Sequence, residues 1–171
     1  MGKYINNLQL RAARGVLNLG VRDVGSIIGV SRMTISKLEH NTTTLERIKH
    51  GESRNNTLIW FFKKMNIVFP DSYTISYCSI INENHVNTIN EITRFQLKAA
   101  RIIIDEDRIV FSNALGIERG VLEYAESLSN EEYIKPRDSS INQKIKDRFN
   151  NYGVNFLNNN SVTFKKLVDV F

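Results

Sequence analysis

The stretch "VRDVGSIIGVSRMTISKLEH", residues 21–40, decides the fold. Val24, Ile28, Val30, Ile35 and Leu38 recur at the spacing of two short helices sharing an apolar face. Gly29 falls between them, where the chain reversal needs the positive φ that glycine adopts without steric cost. Gly25 leaves room on the first helix where the second must cross closely. Ser31 stands where its hydroxyl can accept a backbone N–H and cap the second helix. The side chains left over face outward: Arg32, Met33, Thr34, Ser36 and Lys37, a polar and basic row on one helix.

The same pattern occurs again further along. Displaced by 87 positions, "LQLRAARGVLNLG" falls on "FQLKAARIIIDED", and 13 of the 65 positions from 5 to 69 are identical. The identities include Gln9/Gln96, Arg14/Arg101, Gly29/Gly116, Arg32/Arg119, Glu39/Glu126, Phe62/Phe149 and Phe69/Phe156. Many other pairs keep apolar character, which is the pattern of a retained core. A period this long, present twice, predicts a tandem pair of domains and not a solenoid. The expected boundaries are 1–81 and 88–171, joined through the polar stretch Asn82–Thr88.

Each copy has one coarse layout. Helices are expected over about 7–18, with Leu10, Ala13 and Leu17 on one face, then over about 22–28 and 32–40. One further helical turn is expected near 44–50, and Thr57 reads as the cap of a helix through Met65. Ile67–Phe69 and Tyr73–Ser79 flank Pro70-Asp71-Ser72, a hairpin signature. "GVNFLNNNSVTFKKL", residues 153–167, echoes it around a turn at 158–160. The expected fold class is mainly α, with a small β-hairpin closing each half.

Composition narrows the function. Apolar content of 42% and only two prolines describe a globular chain. No apolar run approaches the ~20 residues of a membrane span. The opening residues lack a signal peptide's apolar stretch, and Asn6 stands where a myristoylation motif carries Ser or Thr. A cytoplasmic protein is therefore expected. Residues 1–86 carry 11 Lys or Arg against 6 Asp or Glu, whereas residues 87–171 carry 12 of each. The whole excess of +5 sits in the first copy, which points to a polyanion-binding face there.

"LRAARGVLNLG…VGSIIGVSRMTISKLE" resembles the lambda-repressor-like (Cro-type, xenobiotic-response-element) helix-turn-helix family. It is similar in particular to phage- and plasmid-associated members with a preceding "RAAR" helix and a following "GVxF" helix and hairpin. The resemblance implies two such domains in tandem and a transcriptional regulator that reads double-stranded DNA. The helix 32–40 would enter the major groove, with Ser31, Arg32, Met33, Thr34, Ser36 and Lys37 at bases or nearby phosphates. Arg14, Arg22, Lys49 and Arg54 would, more weakly, position phosphates. Many members carry Gln at the start of the first motif helix, where it touches the DNA backbone. Val21 stands there in this chain and cannot make that hydrogen bond, so Arg22 supplies it or none does.

The second copy keeps Gly116 and the core positions Phe111, Leu115, Ile117, Leu122 and Ala125, with Ser112 in place of Gly25. Its outward face is expected to be Glu118, Arg119, Gly120, Glu123, Tyr124 and Glu126. Those carboxylates would repel phosphate, so this copy is expected to be a degenerate reader kept for folding, dimerisation or partner binding. A homodimer would then supply two readers. RNA polymerase or another regulator is a further expected partner of the second copy. The alternative function is a protein-interaction adaptor that reuses its helix-turn-helix surfaces for docking.

Other chemistry has little support. Asp105-Glu106-Asp107 reads as a helix start beside the positive end of the dipole, not as a metal site. His40, His50 and His85 lack metal-ligand spacing. His40 reads as a solvent-facing residue closing the helix 32–40, with a phosphate contact as the alternative. Trp60-Phe61-Phe62 is expected to pack the late helix and a subunit contact, and Cys78 to be a small core residue on a strand. Neither a phosphate loop nor a nucleophile elbow occurs, so no enzyme, cofactor or metal is expected.

Overall fold

The computed structural model describes residues 4–40, 49–78, 91–136, 138 and 140–164. Contacts divide the chain into two units, Met1–Cys78 and Ser79–Phe171. The stretch Asn82–Thr88, His85 and most of the expected turn near 44–50 lie outside the described residues. The described residues are mainly helical, with antiparallel strands at the end of each unit.

Unit 1 contains α1 (Asn7–Val16), α2 (Val21–Ile28), α3 (Arg32–Glu39), α4 (Gly51–Lys64), β1 (Ile67–Val68) and β2 (Thr74–Tyr77). Unit 2 contains α5 (Arg94–Ile103), α6 (Arg108–Leu115), α7 (Arg119–Ser127), α8 (Ser140–Asn151), β3 (Val154–Asn158) and β4 (Ser161–Phe164). The 87-residue displacement holds in three dimensions. Ile67 pairs with Tyr77 across the first hairpin, and Val154 with Phe164 across the second.

One glutamine in each unit ties the first helix to the hairpin. Asn6 Oδ1 accepts from Gln9 N (2.8 Å), and Gln9 Oε1 accepts from Asn6 N (3.1 Å), a reciprocal capping box. Gln9 Nε2 then donates to the carbonyls of Asp71 (2.7 Å) and Thr74 (2.9 Å) on the hairpin turn. Thr93 and Gln96 repeat the box, and Gln96 Nε2 donates to the carbonyls of Asn158 and Ser161. Both glutamines are buried, so every polar atom they carry needs such a partner.

Each core is apolar and aromatic. Phe62 meets Phe69 edge-on with ring centroids 5.8 Å apart, and Phe149 meets Phe156 at the same distance. Leu10 and Ala13 are buried as expected, but Leu17 is only half-buried at the end of α1, where Val16 fills the core instead.

Three expectations need correction. Helix α4 begins at Gly51, not at Thr57. Thr57 lies mid-helix and its hydroxyl donates to the Ser53 carbonyl (3.0 Å), a back-bond that leaves nothing to cap. The core face of α4 also starts earlier, because buried Asn55 accepts from Ile5 N (2.9 Å). Cys78 is exposed, since β2 ends at Tyr77 and only its backbone N–H, bonded to the Asn66 carbonyl (2.7 Å), continues the pairing. Of the three consecutive acids, only Asp107 caps a helix, accepting from Val110 N (2.8 Å). Asp105 takes a positive φ of 60°, and Glu106 pairs with Arg148 on α8.

Candidate nucleic-acid interface

Helices α2 and α3 are built as their sequence demands. Gly29 closes α2 with φ 62° and ψ 45°, and the Val30 N–H reaches back to the Gly25 carbonyl (2.9 Å). A Cβ on Gly25 would sit 2.7 Å from the Val30 carbonyl oxygen, closer than a real Cβ can approach. The close crossing therefore requires glycine here. Val24, Ile28, Ile35 and Leu38 are buried, while Val30 is half-buried. Ser31 Oγ accepts from Thr34 N (3.1 Å) and so caps α3.

The outward row is the one read from the sequence. Ser31, Arg32, Met33 and Lys37 are exposed, and Thr34 and Ser36 are half-buried. Met33 is 67% exposed, so α3 holds a large apolar side chain out in solvent at the centre of this row. Arg22 is exposed in the first turn of α2, beside exposed Asp23, whose carboxylate accepts from Gly20 N (2.7 Å). Val21, the first residue of α2, is half-buried. His40 ends α3, with its Nδ1 2.7 Å from the Ser36 carbonyl.

Two arginines expected at phosphate have internal work. Arg14 donates from Nε to Glu39 Oε1 (2.6 Å) and from an Nη to Glu39 Oε2 (2.8 Å), and its other Nη donates to the Leu19 carbonyl (2.8 Å). Glu39 is buried. The planar guanidinium thus fastens α1, the turn after it and the end of α3 in one fork-on-fork contact. Arg54 donates to the carbonyls of Ile28 (3.0 Å) and Gly29 (3.3 Å) and to that of Lys49. It places a cation at the negative end of α2. Lys49 itself is exposed.

Unit 2 repeats the fastening with changes. Arg101 grips Glu126 through Nε (2.5 Å) and an Nη (2.9 Å), and donates to the Glu106 carbonyl (2.6 Å). Arg108, at the place of Val21, adds a third hydrogen bond to Glu126 (2.8 Å). Glu126 is therefore buried and not part of the outward face, which corrects the sequence expectation. Burial alone would raise its pKa, but the hydrogen bonds and charge of Arg101, then of Arg108, outweigh that and hold the carboxyl below its ordinary value. Nearby Lys98 is also buried. Desolvation, then repulsion from Arg94, lowers its pKa to about 8, against a smaller opposing pull from Glu126.

The outward face of unit 2 has the same scaffold but different chemistry. Gly116 holds the turn at φ 68°. Glu118 begins α7 without a side-chain cap, and Arg119 pairs with Glu123 at 2.7 Å on the surface. Gly120 is exposed with open space around it, and α7 still runs unbroken to Ser127. Ile109, Val110, Val121 and Tyr124 are 51%, 50%, 47% and 70% exposed. They occupy the places of Arg22, Asp23, Thr34 and Lys37. Ile117 and Ala125, expected in the core, are half-buried and line a groove of about 470 Å³ beside α7.

The aromatic triplet divides. Phe62 is core, Phe61 packs edge-on against it (5.5 Å), and Trp60 is 57% exposed with Lys64 Nζ 3.8 Å above its ring. Among the described residues, no helix is long and apolar enough to cross a membrane. No family model matches the chain, and no curated protein or solved structure matches it either.

Proposed function

We propose that this chain is a sequence-specific double-stranded DNA-binding transcriptional regulator of the lambda-repressor-like helix-turn-helix type, which lays α3 in the major groove. The observation that carries the reading is the contrast between equivalent faces on one scaffold. Where unit 2 exposes Ile109, Val110, Val121 and Tyr124, unit 1 presents Arg22, Asp23, Thr34 and Lys37. Basic and hydroxyl side chains on a capped, outward helix match the donors and acceptors of base edges and phosphates.

In this reading Arg32 and Lys37 supply charge, while Ser31, Thr34 and Ser36 supply hydroxyls. Met33 offers an apolar contact of the kind that thymine methyl groups accept. Arg22 positions phosphate from the start of α2. Arg14 acts one step back, by holding α3 through Glu39. The protein works in the cytoplasm, on the nucleoid when bound. One chain carries one reading face, so a two-fold site takes two chains.

Selection of bound sequences from random duplex DNA tests this. Enrichment of a defined duplex, palindromic if two chains bind, is the expected result. Recovery of no preferred duplex would sink it.

A second reading has its own support. The exposed apolar face on α6 and α7 suits a protein-interaction adaptor that docks on polymerase or another regulator. Charge reversal at Arg32 and Lys37 separates the two readings. It abolishes DNA binding under the first and is nearly silent under the second.

A further inference from the structure

We infer that the exposed face of α6 and α7 in unit 2 is the surface on which a second copy of this chain docks, in a two-fold contact between unit 2 and unit 2. Four large apolar side chains, Ile109, Val110, Val121 and Tyr124, lie about half or more in solvent. Their scaffold is intact: α7 keeps its αL turn at Gly116, its buried Leu122 and the Arg101–Glu126 fastening. A scaffold held this firmly while four of its outward positions turn apolar is a surface with something to cover it. The groove beside Val121 and Tyr124, floored by Ile117, Leu128 and Ile134, gives a protruding side chain of the facing copy a place to seat.

Three observations select a second copy as the occupant. Unit 2 carries 12 Lys or Arg against 13 Asp or Glu, so two copies meet there without net repulsion; unit 1 carries 11 against 5. Arg119 and Glu123 pair on the patch itself, both well exposed. Across a two-fold axis each can exchange partners with its counterpart, the self-complementarity that a closed symmetric contact demands. Lastly, one polar reading face per chain calls for two chains; this argument rests on the DNA-binding reading, whereas the other two do not.

The test is the mass of the full chain in solution without DNA, by sedimentation equilibrium at micromolar concentration. The parent chain is expected to be a dimer. Val121→Asp with Tyr124→Asp should weaken association at least tenfold while leaving the circular dichroism spectrum unchanged, because both residues are exposed. Tyr124→Cys in a Cys78→Ser background should form an intermolecular disulfide on mild oxidation, independently of the first variant's folding. A monomeric parent chain would overturn the proposal. So would a dimer indifferent to the aspartates and lost on Trp60→Ala, or one that gives no cross-link through position 124. Binding of a half-site duplex by the monomeric variant would show that the reading face stands by itself. A dimer that binds no duplex would remove the DNA reading and leave this surface in place.

Discussion

Arg14 and Glu39 form a two-pronged ion pair at 2.6 and 2.8 Å, and the same pair recurs 87 residues later as Arg101 and Glu126 at 2.5 and 2.9 Å. In each unit it joins the first helix to the third. It recurs where most outward residues, Arg32 and Arg119 apart, do not, so it belongs to the scaffold and not to the outward face. Removing one partner leaves a buried charge without compensation. Arg14→Met is expected to destabilise unit 1 by about 3 kcal/mol in urea unfolding, the usual size of such an effect. A change below about 1 kcal/mol would mean that water reaches Glu39.

The same geometry makes a functional prediction about salt. Arg14 spends its guanidinium on Glu39 and Leu19, whereas Arg22 is exposed. Each phosphate that a protein neutralises adds about 0.9 to the slope of log affinity against log salt. Arg22→Gln should therefore flatten that slope by about one. Arg14→Gln should weaken binding with the slope unchanged. Titration of a selected duplex at several salt concentrations checks both, and equal flattening by the two variants would assign Arg14 to phosphate after all.

Gly25 is expected to tolerate no side chain. Its Cβ would meet a backbone oxygen at 2.7 Å, which cannot rotate aside. Gly25→Ala should cost about 1–3 kcal/mol, as overpacked sites do, and should displace α3. Thermal unfolding with a parallel binding assay reads both effects. Unit 2 carries Ser112 at this position, with its hydroxyl on the Ile109 carbonyl (3.1 Å), so Ser112→Ala should be mild by comparison.

Lys98 and Glu126 give unit 2 an acid-side and a base-side signature. Glu126 has a lowered pKa in the fold, so its stabilisation is present above its unfolded pKa and is lost as pH falls through the folded value. Lys98 has its pKa lowered from 10.5 to about 8, so below pH 8 the fold carries the full cost of burying its charge. Between pH 8 and 10.5 the unfolded chain binds more protons, and this residue's contribution to stability rises with pH. Lys98→Met should accordingly stabilise unit 2 at pH 7 by about 1–3 kcal/mol. The gain should shrink toward zero by pH 10.5, as read from the difference between the two unfolding curves. A gain independent of pH would assign the effect to packing.

The parts legible in the sequence were those with local cause. Gly29, Ser31 and the apolar positions from Val24 to Leu38 placed α2 and α3 to within a residue, because turn, cap and periodicity agree there. The hairpins were legible in the alternation around Pro70 and Asn159. What stayed hidden was long-range. Arg14 and Glu39 lie 25 residues apart, and no periodicity links them; their joint identity with Arg101 and Glu126 was the available signal. Gln9 had the same signal, plus the Asn6 capping pattern. Thr57 misled because a cap residue in mid-helix looks the same in sequence as one at a start. The apolar turn of the second face was partly visible as Tyr124, but Ile109, Val110 and Val121 could not be told from core residues without their exposure.

If α3 of unit 1 lies in the major groove, fluorescence anisotropy on a selected duplex responds to its two outward cations. Arg32→Glu with Lys37→Glu should lower affinity at least a hundredfold, because two interactions of ~1–3 kcal/mol each are replaced by repulsion. The same reversal at Arg119 in unit 2 should change it less than threefold. Binding that survives the first pair of substitutions, or that is abolished equally on changing Arg119, would contradict the account.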